Sequence, residues 1–281
     1  MIKSIAVLTH QHDREIREAP YFLAYLIQAW EQQGIEVHVV SDCNFVPADI
    51  GIVHVDTTVV AEEYLDLAAR YPVAVNCAIK DISRSTFSLN LLRRDDSYAG
   101  PVIVKTEANY GGVPEQQIEW LRHGSAPLYE GVQRPWRKVE YLESENYPVF
   151  EHLSEVPQGV WRNSKLVVEK FLPERLESGE YRLRTYLFFG EQEFGMWFIS
   201  PDPIVKFANS TSMGQLESIP ESLQEIRREN GFMLGRFDFT LVDGEPVLFD
   251  MNKTPVTGDH GQAFIPADKQ LAFTNEIHGF V

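Results

Sequence analysis

Asp238, Asp250 and Asn252 are the residues of this 281-residue chain whose types and spacing best suit chemistry. They lie in FMLGRFDFTLVDGEPVLFDMNKTP (232–255), two runs of β-type composition flanking Asp243-Gly244, a dipeptide typical of tight hairpins. Alternation gives each run two faces. Phe237, Phe239 and Leu241 share one, as do Val247, Phe249 and Met251. The opposite faces carry Arg236, Asp238 and Thr240, then Leu248, Asp250 and Asn252. A merely solvated face would show Lys, Glu or Thr. Two Asp and an Asn instead offer hard oxygen ligands, and Mg²⁺ takes a few such oxygens and completes its shell with phosphate and water. An ordinary edge hairpin with a polar outer face is the alternative. Register separates the two. A two-residue loop at Asp243-Gly244 pairs Asp238 with Phe249 and sends Asp250 to the other face, whereas an odd loop with Gly in the left-handed region keeps both Asp together. The odd loop is the expectation.

Composition limits what such a site serves. Hydrophobic residues at 44% and charged residues at 23% describe an ordinary globular chain, long enough for two or three lobes. The formal net charge of −16 disfavours nucleic acid and anionic membranes as partners. An anionic ligand would therefore need a local basic lining and a metal. Cys43 and Cys77 show no metal or disulfide spacing and read as reduced thiols of a cytoplasmic protein. No signal peptide or transmembrane run is present in the sequence.

The elements that must position the hairpin follow in order. Strands at SIAVLT, IEVHVVS, DIGIVHVD and PVAVN alternate with helical patterns over Glu15–Gln33 and AEEYLDLAARY. This predicts a mostly parallel α/β lobe over residues 1–80. His10, His12 and Asp13 end the first strand and His54 and Asp56 the third, where open α/β sheets place ligands; simple loop polarity is the plainer reading. DISRSTFSLNLLRR (81–94) reads as a helix capped by Asp81 or Ser83. PVIVKT then ends in Lys105 and runs into a loop with Gly111 and Gly112, a pattern that lets backbone amides approach phosphate beside a cation. It is not a Walker loop, and a turn with a surface Lys looks similar. Residues 124–162 predict strands, a short helix and loops. LVVEKFLP follows as a buried strand carrying Glu169. GEYRLRTYLFF then places Glu180, Arg182 and Arg184 on one face, with QEFGMWFIS as its partner across Gly190. Residues 215–230 read as an amphipathic helix.

VIVKT with its glycine loop, VEKFL, GEYRLR, GRFDF and LFDMNKTP, in this order over residues 81–260, resemble the motifs of the ATP-grasp superfamily. The pattern is similar to that of D-alanine–D-alanine ligase and glutathione synthetase. The resemblance implies an α/β chain of three lobes: an N-terminal pre-ATP-grasp lobe (1–80), a central ATP-lid lobe (81–172) and a C-terminal antiparallel-sheet lobe (173–281). By the same resemblance Lys105 and the loop with Gly111 and Gly112 meet the ATP phosphates, with Arg84 standing where the family commonly has Lys. Glu169 accepts from the adenine amino group, the backbone of Lys170, Phe171 and Leu172 lies along the ring, and Glu180 holds the ribose. Lys206 meets the β- and γ-phosphates, Arg236 stabilises the acyl phosphate, and Asp238, Asp250 and Asn252 bind Mg²⁺ or Mn²⁺. Asp250 is one methylene shorter than the family's usual Glu, and Lys253 adds a charge that alternation points away from the metal.

The activity implied is ATP-dependent joining of a carboxylate to an amine through an acyl phosphate, with release of ADP and phosphate. Arg184, with Arg182, offers bidentate recognition of a substrate carboxylate, and His260 a contact to the acceptor. Two alternatives stay open: a small-molecule kinase on the same fold, and a nucleotide-binding protein without catalysis. The substrates, whether metabolite, amino acid or peptide, have no readable code, and a homodimer rests on fold analogy alone.

Overall fold

Short Val- and Ile-rich runs alternate with stretches of helical periodicity at the start of the chain, and they fold as that alternation dictates. The computed structural model describes residues 2–13, 15–124, 135–257 and 264–280. Strands β1 (Ser4–Leu8), β2 (Glu36–Val40), β3 (Ile50–Val53) and β4 (Val73–Val75) form a wholly parallel sheet in the order β2-β1-β3-β4. Helices α1 (Phe22–Gln32) and α2 (Glu62–Ala68) pack on it. Helix α1 begins seven residues later than its periodicity predicts. Tyr21 is held extended by a bridge to Val256, and the Phe22 amide donates to the Pro255 carbonyl (2.8 Å), so a tertiary contact sets the first turn.

The helix expected over 81–94 is reduced to one turn, α3 (Arg84–Phe87). Its second half is extended because the Leu92 amide bonds the Val168 carbonyl and the Lys170 amide bonds the Asn90 carbonyl. Pairing with a neighbouring strand outcompetes local helix propensity there. Strand β5 (Val102–Thr106) leads to a 3-10 turn over Asn109–Gly112 and helix α4 (Val113–His123). Strand β6 (Val149–Phe150), the single-turn helix α5 (Gln158–Trp161) and strand β7 (Leu166–Lys170) complete an antiparallel sheet ordered β6-β5-β7.

The third sheet follows. Strands β8 (Glu174–Arg175), β9 (Tyr181–Phe189), β10 (Gln192–Ser200) and β11 (Ser212–Gln215) precede helix α6 (Glu221–Glu229). Strands β12 (Leu234–Val242) and β13 (Glu245–Asn252) form the metal-type hairpin, and α7 (Ala267–Asn275) follows. The order is β11-β10-β9-β12-β13, with β8 beside β9.

Packing ties the first sheet to the third. One apolar cluster joins Phe22, Ile27 and Trp30 of α1 to Phe189, Phe194, Leu234 and Phe273. The β5–β7 sheet has its own cluster around Val102, Val104, Val160 and Val168. Its lobe therefore meets the others through polar contacts, notably at Thr58. The Thr58 hydroxyl accepts the Asn109 amide (2.8 Å) and the Thr58 amide donates to Glu115 (2.6 Å).

Candidate active site

The hairpin corrects one expectation and keeps its consequence. The loop has two residues, not three: Val242 pairs with Glu245, and Asp243 (φ 53°) and Gly244 (φ 87°) both take positive φ, as a type I′ turn requires. That loop alone would put Asp250 on the wrong face. A β-bulge restores it. Phe239 pairs with Leu248 and Asp238 with Asp250, so Phe249 is the extra residue and both carboxylates face the same side. The bulged carbonyl of Phe249 accepts from Arg84 Nη1 (2.8 Å), and its ring lies 5.3 Å from Lys105 Nζ.

One cleft gathers Arg84, Lys105, Lys206, Asp238 and Asp250, with Lys170, Phe171 and Leu172 along a wall. Arg84 is buried; its Nε donates to the Thr106 carbonyl (3.1 Å) and its Nη2 lies 3.7 Å from Asp250 Oδ1. Burial alone would lower the Arg84 pKa, but Asp250, Glu169 and Tyr147 outweigh it and raise it. Lys105 Nζ meets Glu169 Oε2 at 2.7 Å, both side chains enclosed. Burial lowers the Lys105 pKa against the pull of Glu169. Glu169, which burial would push up, is instead held down by Lys105 and Arg84. Its carboxylate is committed to Lys105 and is not on the cleft wall, unlike the adenine contact expected of it. Burial likewise lowers Lys206, opposed by Asp250 and Asp238, and raises Asp250, reinforced by Asp238.

Arg236 is bound bidentately to Asp238 (Nε–Oδ1 2.9 Å, Nη2–Oδ2 3.2 Å) and donates from Nη1 to the Val256 carbonyl (2.9 Å). The Asn252 amide oxygen is oriented by the Thr254 backbone amide (2.9 Å). Lys253 is turned away from the carboxylates, as alternation predicts, and its ammonium bonds the Thr57 carbonyl. Burial lowers its pKa to about 8. Two opposed carboxylates and an oriented amide oxygen suit a hard divalent ion; burial raises the Asp250 pKa first and the Asp238 charge adds to it, a penalty such an ion would relieve. Among the described residues no three His, Cys, Asp or Glu side chains converge into a self-sufficient metal site. The set is one that a ligand's own oxygens must complete.

Four further expected site residues, Arg184, Gly111, Gly112 and Glu180, lie off the cleft wall. Arg184 is ion-paired with Glu174, which also accepts from Thr240 Oγ1 (3.1 Å) and the Leu241 amide (3.1 Å). It cross-links β8, β9 and β12, while Arg182 lines the cleft and has a buried Nε without a partner among the described residues. Gly111 and Gly112 are buried against the Leu142 carbonyl and the Tyr141 ring, off the cleft wall. Glu180 sits just before β9, bonded by Ser178 and Thr211 (3.1 and 3.3 Å). His260 lies outside the described residues. Sequence reasoning missed Glu174, Thr254 and the bulge at Phe249. Nothing marks Glu174 in advance, because its partners lie on strands β9 and β12, from Arg182 to Leu241. Of the N-terminal candidates, His54 is enclosed against the Tyr21 ring, and Asp56 accepts from Tyr21 Oη (2.8 Å) and from Thr254.

No protein-family profile and no curated protein matches this chain. Solved structures do match, and with the three sheets in this order the chain has the ATP-grasp fold. A Chryseobacterium gregarium RiPP-associated ATP-grasp ligase, in complex with ADP and a leader and core peptide, is similar over 100% of this chain and 98% of its own (TM-score 0.57, 8% identity). The ATP-grasp ligase PsnB with Mg, ADP and a phosphomimetic variant of its minimal precursor is similar over 98% and 100% (TM-score 0.54, 10% identity). D-alanine–D-alanine ligase from Bacillus anthracis complexed with ATP is similar over 100% and 96% (TM-score 0.51, 11% identity). No helix among the described residues is long and apolar enough to cross a membrane.

Proposed function

We propose that this protein is an ATP-dependent ligase that activates a substrate carboxylate as an acyl phosphate and joins it to an amine. The observation that carries this reading is the convergence of the Asp238–Asp250 pair with Arg84, Lys105 and Lys206 in one cleft. Five cationic residues (Arg84, Lys105, Lys170, Arg182 and Lys206) and two carboxylates in a chain of net charge −16 make a local basic lining with cation ligands, which a nucleoside triphosphate and its metal require. The solved neighbours that hold ATP, ADP or Mg share this fold and support the reading.

In this proposal Arg84, Lys105 and Lys206 draw the phosphates in, and Glu169 fixes the Lys105 ammonium. The backbone of Lys170, Phe171 and Leu172 flanks the adenine. Asp238, Asp250 and Asn252 hold Mg²⁺, with Mn²⁺ a substitute, and the ion supplies charge neutralisation at the phosphates. Arg236, fixed by Asp238 and Val256, presents its guanidinium where negative charge accumulates as the carboxylate attacks phosphorus and the amine then attacks the acyl carbon. No protein nucleophile takes part; catalysis is positioning and charge stabilisation. A small molecule, an amino acid or a peptide end fits as the carboxylate and amine. We further propose the three-lobe division at 80 and 172, a cytoplasmic setting and, on fold analogy alone, a homodimer.

The test is ADP release with Mg²⁺ against pooled carboxylates and amines, beside Asp238→Asn. Release that depends on substrate and disappears in the variant supports the reading, and an amide product by mass spectrometry completes it. A phosphorylated product would replace ligase by kinase. Absence of both turnover and ATP binding by calorimetry would overturn the site.

A further inference from the structure

A second feature lies on the outer edge of the β5–β7 sheet. Strand β7 is an edge strand, and Asn90–Leu92 covers only its C-terminal half. At Arg93 the chain turns away, the Arg93 amide donating to the Asp96 carboxylate (2.7 Å). The Glu107 amide bonds the Lys165 carbonyl (2.8 Å), and in an antiparallel ladder this turns the alternate residues Leu166, Val168 and Lys170 outward. The Leu166 amide is taken by the Asn163 carbonyl (3.1 Å), and the Val168 carbonyl by the Leu92 amide (2.8 Å). The Leu166 carbonyl and the Val168 amide have no partner among the described residues.

Beside these two groups opens a cleft of ≈780 Å³, with Val160 and Trp161 on one wall and Arg93 and Arg162 on its rim. Arg94 and Lys165 are exposed next to it. None of these four cations forms an ion pair among the described residues, although acidic residues outnumber basic ones 41 to 25 in the chain. Asp96 also lines the cleft and Asp95 adjoins it, so Arg93, Arg94, Arg162 and Lys165 face two carboxylates; this local excess of positive charge in an acidic protein suits an anionic partner, and the open donor and acceptor of an edge strand suit an extended backbone.

We infer that this edge is a docking site for an extended acidic peptide segment of a partner protein, which adds to β7 as a short strand. Its backbone pairs with Leu166 and Val168, alternate apolar side chains lie against Val160 and Trp161, and the intervening carboxylates meet Arg93 and Arg162. The site is separate from the nucleotide cleft and does not depend on the ligase reading.

The experiment measures anisotropy of a fluorescein-labelled, acetylated and amidated Glu-Val-Glu-Val-Glu probe with the full chain. Saturable binding at least tenfold tighter than Lys-Val-Lys-Val-Lys is expected, together with slowed hydrogen exchange at the Val168 amide. Binding should weaken at least tenfold in an R93E/R162E variant whose circular dichroism is unchanged, and also for a probe N-methylated on alternate residues. Equal binding of the N-methylated probe, or an unchanged Val168 amide, would reduce the contact to surface charge and overturn strand addition. Equal binding of the basic probe, or no saturable binding, would overturn the site.

Discussion

Asp238 and Asp250 face each other across β12 and β13 because Phe249 is bulged out of the ladder between them. The bulge is held by Arg84 of α3, remote in sequence, which donates to the Phe249 carbonyl and lies 3.7 Å from the Asp250 carboxylate. Removing that guanidinium releases the bulge and leaves the two carboxylates less neutralised. Arg84→Met is therefore expected to raise the Mg²⁺ concentration needed for half-maximal ADP release about tenfold, more than it changes thermal stability. Metal titration of activity beside a melting curve separates the two effects.

Asp238 binds Arg236 and, in the proposed function, serves the metal as well. Asp238→Asn keeps the shape, removes the charge and frees the guanidinium. A loss of about 10²–10³-fold in turnover is expected, the scale for removing one electrostatic stabiliser. Steady-state ADP release gives the number, and a loss under threefold would remove Asp238 from the site.

The enclosed Lys105–Glu169 pair makes a stability prediction. Glu169→Gln leaves the Lys105 amine buried and without its counter-ion, at a cost of about 3 kcal/mol. The double replacement Lys105→Met/Glu169→Leu should recover most of that stability while abolishing nucleotide binding. Urea melts and calorimetry of the three proteins test both halves.

His54 sets an acid limit. It is fully buried with neither ring nitrogen bonded among the described residues, and burial lowers its pKa from 6.5 to about 3. The unfolded chain thus binds a proton that the folded chain refuses between those values. Stability is complete above about pH 6.5 and falls as pH drops toward 3, by roughly 3–5 kcal/mol in the limit. His54→Leu should flatten that part of the stability–pH curve; an unchanged slope in denaturant titrations at pH 4, 5 and 7 would refute the assignment.

Gly244 takes φ 87° in the turn with open space around it, so a methyl group meets no neighbour and only the backbone resists. Gly244→Ala should cost about 1 kcal/mol. A loss near zero by thermal melt would show that the loop relaxes to another turn.

The sequence alone carried the element types, the parallel first sheet, the hairpin and the order of the motifs. Each of these is local: alternation, apolar runs and Asp-Gly act over a few residues. It also placed Lys253 facing away from the carboxylates, since strand alternation needs no partner. Tertiary structure decided the rest. The bulge at Phe249 depends on Arg84 from a distant segment, and the start of α1 depends on Val256 bridging Tyr21. The helix expected over 81–94 yielded to the edge of β7, and Arg184 was captured by Glu174. Ion-pair partners and strand edges are settled by contacts between residues remote in the chain, and no local pattern encodes which of several competing partners wins.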